Sequence, residues 1–276
     1  MDRSVKGSQS AYLLSEVGAE AEAARLRSQA AVVLALELPR ILADIPPAGV
    51  FWDLGCGSGV LADAVAAARP DVRVLGLDAD PMAVSEAQRV FGGREGLEFL
   101  VHPIGAGAPD RERPDVMAMR LVLMHLPGPA EVLSALLGWA KPGGALHVIE
   151  GDDRDLAIEP GGPWVERLLA SMSRVQAARG GDRCLGRELQ RLLEGAAWEG
   201  VVSEKVQLDP VRTAAAAPRV FGPVAEFYLG QAEEHGILSP DKAAELREAV
   251  QKGLANATAV HAPLHHAVAR RPRSPR

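Results

Sequence analysis

At 276 residues the chain can bury one substantial core with attached elaborations, and its 47% hydrophobic and 24% charged composition excludes general disorder. A formal charge of −6 excludes the broad basic face that a nucleic-acid backbone demands; only Arg270 to Arg276 is locally basic, and it reads as a Pro-containing solvated tail. Apolar runs such as Ala30 to Leu36 are too short to span a bilayer, the N-terminus carries no signal pattern, and Cys56 and Cys184 make neither metal cluster nor disulfide framework, so a cytoplasmic protein is expected.

Residues 1 to 15 are polar and turn-rich. A helical pattern then carries Leu26, Val33, Leu34, Ile41 and Leu42 on one side until Pro46-Pro47 stops it, with Pro39 expected to kink or interrupt it. From Val50 short apolar runs alternate with amphipathic stretches, the pattern of a parallel sheet with crossover helices. Strands are predicted at Val50 to Leu54, Val72 to Asp78, Leu97 to Val101, Asp115 to Met119 and Ala145 to Glu150. Between them lie helices at Val60 to Arg69, from the Asp80-Pro81 cap to about Gly92, and at Ala130 to Ala140 before the turn Lys141-Pro142-Gly143-Gly144.

After Glu150 the alternation stops. Helical stretches at Pro163 to Ala178 and Gly186 to Glu194 precede a strand at Gly200 to Leu208. A second helical block follows, with its best-marked helix starting at Ser239-Pro240, and Leu264 to Ala269 reads as a last strand.

The chemistry concentrates in Phe51-Trp52-Asp53-Leu54-Gly55-Cys56-Gly57-Ser58-Gly59, where an apolar strand enters a loop with glycine at every second position and a helix follows at once. Residues without Cβ let the backbone bend tightly and approach a ligand, and the helix start offers unpaired N–H groups. Asp78 ends the next strand and can accept both hydroxyls of a ribose, which points to an adenosine-containing cofactor. The dinucleotide fingerprint asks for glycine where this chain has Val60, which disfavours a nicotinamide or flavin site.

These motifs resemble the class I S-adenosylmethionine-dependent methyltransferases. Val50 to Gly59 is similar to the family's first motif and Asp78 to the acidic end of its second. Asp115 to Pro127, which includes Arg120 and His125, is similar to its fourth-strand motif, and Lys141 to Gly144 to the turn before its fifth strand. The resemblance implies a Rossmann-like α/β fold whose seven-stranded, mostly parallel sheet ends in an antiparallel strand, with N-terminal and inserted helices as a lid. It implies that Asp53, Gly55, Gly57 and Gly59 surround the methionine part of the cofactor, that Asp78 holds the ribose, and that Ala79, Met82, Arg120 and His125 stand beside it. His102-Pro103-Ile104-Gly105 stands where the family usually has an acidic residue near the adenine amine, so that contact has no counterpart here.

Tyr12-Leu13-Leu14 followed by Glu22, Arg25, Leu26 and Gln29 resembles the helical lid of small-molecule members, which lets Tyr12, Arg25 and Gln29 close over the cofactor; a plain surface helix is the alternative. The expected organisation is a lid over residues 1–45 and a core over 46–276, with insertions at about 153–195 and 210–258.

His125 lies past the fourth strand, at the sheet edge where open α/β sheets bind ligands, and its pKa range suits proton removal, although a structural or cofactor-side role competes. Glu150, Asp152 and Asp153 follow the fifth strand at the same edge, and Glu150 and Asp152 join His125 as catalytic candidates; no metal is expected. Trp164, Met172, Trp198, Phe221, Phe227 and Tyr228 lie in the helical additions, and all but Trp198 are candidates for the acceptor pocket. His265, His266 and Cys184 read as structural, Cys184 as a buried small residue.

The expected function is methyl transfer from S-adenosylmethionine to a small, largely apolar metabolite of the kind found in secondary metabolism, at oxygen, nitrogen or carbon. The partners are then the small-molecule acceptor and no nucleic acid or membrane, with a homodimer compatible with the sequence. The alternatives are an S-adenosylmethionine-binding protein that rearranges its substrate without methylating it or uses the cofactor structurally, and a nicotinamide-dependent oxidoreductase.

Overall fold

The computed structural model describes residues 19–273. Helix α1 (Ala19–Asp44) precedes β1 (Val50–Leu54), α2 (Val60–Ala68), β2 (Arg73–Asp78), α3 (Pro81–Phe91), β3 (Leu97–Val101), β4 (Val116–Arg120), α4 (Pro129–Leu137) and β5 (Ala145–Gly151). There follow β6 (Ala157–Glu159), α5 (Pro163–Ala178), α6 (Leu189–Gly195), β7 (Glu199–Val206), α7 (Pro210–Glu234), α8 (Pro240–Ala255), β8 (Ala259–His261) and β9 (Leu264–Arg270).

Seven strands form one sheet in the order β3-β2-β1-β4-β5-β9-β7. The first five run parallel, and β9 is antiparallel to both β5 and β7. This is the Rossmann-like α/β sheet with its one reversed strand. The order turns back between β1 and β4, so the loops after these two strands diverge and leave a crevice at their carboxyl ends.

Side-chain alternation along β1 divides the core. Phe51 packs with Ile41 of α1 and Val65 of α2 on one face, while Trp52 meets Leu133 of α4 and Leu193 of α6 on the other. There the rings of Trp52 and Trp139 stand edge to face at 6.2 Å, and Trp198 Nε1 donates to the Leu133 carbonyl at 2.9 Å. A third cluster lies away from the sheet, where Met172 of α5, Tyr228 of α7 and Leu246 of α8 pack together with Ile158 of β6 and Val260 of β8.

Several expectations change. Pro39 does not interrupt α1, which continues to Asp44; Pro39 and Ala35 are both exposed, so the carbonyl that loses its helical donor faces water. The helix expected at Gly186 to Glu194 opens as a single 3₁₀ turn before α6, and the second helical block begins with one long helix, α7, running through Pro218 and Pro223. The antiparallel pair β6 and β8 is an addition to the expected strands, β6 falling inside the first helical insertion and β8 just after the second. Cys184 is half-buried, and His265 and His266 are tied down, His265 to Asp155 at 2.7 Å and His266 to His147 at 3.0 Å.

Candidate functional site

The loop after β1 is held in a conformation that its glycines alone adopt without strain. Gly55, Gly57 and Gly59 all have positive φ, and a Cβ on Gly55 would meet Val122 Cγ2 at 2.4 Å. Gly59 has φ +80°, and a Cβ there would meet the Phe99 ring at 2.7 Å. Asp78, at the tip of β2, faces this loop: its Oδ2 accepts the Gly57 N–H at 2.8 Å and its Oδ1 the Asp80 N–H at 2.9 Å. A carboxylate has about four lone-pair sites, so both oxygens keep capacity for a ligand hydroxyl. Burial pushes the Asp78 pKa up, with the two N–H groups opposing.

Beneath the loop lies a buried polar cluster. Asp53 is 2% exposed and accepts the Ala62 N–H at 3.2 Å; desolvation raises its pKa to about 7 against the pull of Arg120. Arg120 Nε stands 3.9 Å from Glu37 Oε2, beyond hydrogen-bond reach. Both Glu37 oxygens and Arg120 Nη1 are buried without a hydrogen-bond partner. Buried polar atoms with no partner are costly and mark a place completed by something else.

His125 sits on the 3₁₀ turn Leu123–His125 that follows β4. Glu150 fixes this turn, its Oε1 accepting the N–H groups of Val122 at 2.9 Å and Leu123 at 2.6 Å. Glu150 is fully buried and does not line the cavity, so the sequence reading of a group that meets an acceptor is corrected to one that meets backbone. Desolvation raises its pKa to about 8. Asp152 does line the cavity, but it binds the Arg154 guanidinium through both oxygens and caps Arg187 N at 3.2 Å, which holds the loop after β5 in place. Asp153 pairs through both oxygens with Arg183, at 2.6 and 3.0 Å.

One cavity of about 310 Å³ joins these parts. Arg25, Gln29, Asp53, Gly55, Gly57, Asp78, Ala79, Arg120 and His125 line its loop end. Pro103 and Ile104, from the segment after β3, line it too. Its far end is walled by Ile158, Leu168, Met172, Val220, Phe221 and Tyr228, the inner faces of α5 and α7 with β6.

Not every expected residue reaches it. Gly59 turns the backbone but does not line the cavity, and Met82, on the solvent side of α3, is 45% exposed. Trp164 packs over Gly253 and Phe227 lies beside the Arg179 guanidinium; neither lines the cavity. Tyr12 lies outside the described residues. The sequence reading missed Arg183 and Gln176, whose importance depends on contacts across the chain: Arg183 Nη1 donates to Tyr228 Oη at 3.2 Å, and Tyr228 donates to Gln176 Oε1. Among the described residues no group of three His, Cys, Asp or Glu side chains is placed to hold a metal ion.

A family described as a methyltransferase domain matches residues 52–146. Trans-aconitate 2-methyltransferase of Methylobacterium radiotolerans is 34% identical over 170 residues, covering 59% of this chain and 59% of that protein. Ubiquinone biosynthesis O-methyltransferase of Pseudomonas putida is 31% identical over 119 residues, covering 37% of this chain and 50% of that one. The match spans only 49% to 59% of the length of three trans-aconitate 2-methyltransferases.

Among solved structures, the (4+2)-cyclase SpnF superposes with a TM-score of 0.55 at 22% identity over 86% of this chain and 81% of its own. Phosphoethanolamine N-methyltransferase 2 of Haemonchus contortus, in complex with S-adenosyl-L-methionine, gives 0.54 at 15% over 87% and 52%. These two share the fold. The matched segment contains the glycine loop, Asp78 and the His125 turn, and the sheet around it has the strand order and the one reversed strand expected from those motifs. Residues 52–146 thus match a methyltransferase domain, and the fold around them is that of the class I S-adenosylmethionine-dependent methyltransferases.

Proposed function

We propose that the protein transfers a methyl group from S-adenosylmethionine to a small, largely apolar acceptor. The observation that carries this reading is the single cavity running from the glycine loop and Asp78 to the apolar walls of α5 and α7.

The loop end fits the methyl donor. Its glycines leave a cradle that side chains would fill, as a Cβ on Gly57 would come 3.2 Å from Leu26 Cδ1. Asp78 offers acceptor capacity for a ribose, and Arg120, which lines the cavity with its Nη1 lacking a hydrogen-bond partner, suits the carboxylate of the amino-acid end. Asp53, Gly55, Gly57, Ala79, Arg25 and Gln29 complete the enclosure. When bound, the donor supplies an electrophilic methyl group on a sulfonium. The chain's own contribution is to align the acceptor and exclude water. In this reading residues 1–45 close over the core formed by 46–276, and the segments at about 153–195 and 210–258 enclose the acceptor.

At the far end Met172, Phe221 and Tyr228 present an apolar wall with one hydroxyl, which supports a bulky, mostly apolar acceptor over a highly charged one. The charge of −6 supports a small molecule over a nucleic acid. No described helix is long and apolar enough to cross a membrane. A cytoplasmic site of action and a homodimer belong to the same proposal, the latter checked by light scattering.

A non-methylating use of the site is the competing reading, because a cyclase is among the proteins that share the fold. Incubation with methyl-labelled S-adenosylmethionine and a panel of apolar phenols, acids and amines decides between them. Label in a product supports methyl transfer. Tight S-adenosylhomocysteine binding with no labelled product from any acceptor supports the alternative.

A further inference from the structure

His125 lines the cavity, and its hydrogen bonding fixes which ring nitrogen carries the proton. Gln176, on α5, is fully buried, and its Nε2 lies 2.7 Å from the Met124 carbonyl oxygen and 3.1 Å from His125 Nδ1. A carbonyl can only accept, so the amide nitrogen of Gln176 faces Met124, and its second N–H is the one directed at His125. The other end of the side chain agrees. Arg183 has no acceptor and donates to Tyr228 Oη, which leaves the tyrosine proton for Gln176 Oε1.

The polarity of the whole chain, Arg183 to Tyr228 to Gln176 to His125, is therefore set from both ends. His125 Nδ1 is an acceptor and its proton resides on Nε2.

The surroundings oppose a second proton. Among the described residues, the charged groups acting on His125 include Arg25 of α1, Arg179 of α5 and Arg183; Arg183 is bonded to Asp153 and to Tyr228 of α7, and Glu150 of β5 faces the neighbouring Met124 N–H. Burial and then the three guanidinium groups push the His125 pKa down to about 3. Asp153 is already paired with Arg183, and Glu150 spends its Oε1 on backbone N–H groups.

We propose that His125 serves this site as a neutral N–H donor, held in that tautomer by Gln176, and not as the base that deprotonates the acceptor. Gln176 is the positioning residue. The inference rests on the methyltransferase reading and narrows it: the acceptor atom is an oxygen that sheds its proton to solvent before it meets His125, as an acidic phenol, an enol or a carboxylic acid does. At His125 a protonated amine would meet the fields of three guanidinium groups and an N–H donor in place of a base.

The test is long-range proton–nitrogen NMR on protein labelled with nitrogen-15 in its histidines, the His125 signals being assigned by their loss in His125→Gln. The expected result is an unprotonated Nδ1 and a protonated Nε2 that do not titrate between pH about 5 and 8. A proton on Nδ1, or a titration midpoint inside that range, overturns the inference.

In Gln176→Glu the carboxylate can only accept, so the Nδ1 signal should change to that of a protonated nitrogen. An unchanged tautomer in a variant that melts as a folded protein overturns the role of Gln176. Calorimetry with S-adenosylhomocysteine on the wild type is run beside these measurements. Absence of binding there defeats the reading of the site itself, whereas binding combined with a titrating His125 defeats only the present inference.

Discussion

The Oε1 atom of Glu150 lies 2.6 Å from the amide nitrogen of Leu123, so a carboxyl at the end of β5 closes the turn that carries His125. Glu150→Ala leaves buried N–H groups unpaired and should cost about 2–3 kcal/mol at pH about 5, where the carboxyl is otherwise at its most favourable. Glu150→Gln keeps a carbonyl oxygen for Leu123 and should cost less. The pH dependence separates the two effects. The folded-state pKa is raised from 4.5 to about 8, so the wild-type contribution is complete below 4.5 and is lost as the pH climbs through 8. The stability gap between Glu150→Gln and wild type should move in favour of the variant by about 3–4 kcal/mol between pH 5 and 8. Urea midpoints at the two pH values measure it, and a constant gap would mean that the folded carboxyl is ionised throughout.

Asp78→Ala removes the acceptor proposed for the ribose and also frees the Gly57 and Asp80 N–H groups that the carboxylate holds. Affinity for S-adenosylhomocysteine should fall about 10- to 100-fold by calorimetry. Asp78→Asn keeps one carbonyl oxygen and should fall between the two. A folded Asp78→Ala protein with wild-type affinity would remove Asp78 from the site.

Gly59→Ala places a Cβ 2.7 Å from the Phe99 ring at φ +80°, where L side chains are strained whatever the space. The expected loss is about 1–3 kcal/mol, read as a lower Tm. Gly93→Ala is the control, because no atom lies within 4 Å of the added Cβ and the position carries no positive φ.

Trp198→Phe keeps the ring between α6 and the sheet and removes the Nε1 donor to the Leu133 carbonyl. Leaving that buried carbonyl short of a partner should cost about 1–3 kcal/mol in denaturant unfolding, with the S-adenosylhomocysteine affinity unchanged. A matching loss of affinity would place Trp198 nearer the site than its packing against α4 allows.

The sheet was legible because its signals are local. Asp80-Pro81 announces α3, and the Asp80 side chain does accept the Met82 N–H at 2.8 Å; Leu97 to Val101 and Pro163 to Ala178 have the limits that their apolar spacing and proline start imply. Pro218 and Pro223 hid α7, since proline normally ends a helix and only packing against α5, α8 and α1 keeps this one whole. Strands β6 and β8 have three residues each, too few for any alternation to register. At the site, Gly55, Gly57 and Asp78 could be found because backbone chemistry dictates those residue types. Glu150 and Arg183 could not be assigned in the same way. A carboxylate that caps a distant turn and a guanidinium that orders a tyrosine look, in sequence, like any other charge.

The small ribbon of β6 and β8 joins the chain just after it leaves β5 to the chain just before it enters β9. Most of the apolar far wall of the cavity is thus strung between two neighbouring tethers and packs around a centre separate from both faces of the sheet. Substitutions at Met172, Val220 or Phe221 can reshape that chamber while the seven strands and the glycine loop keep their register. On the proposed function, the part of the chain that would meet the acceptor is thus built apart from the part that would hold the donor.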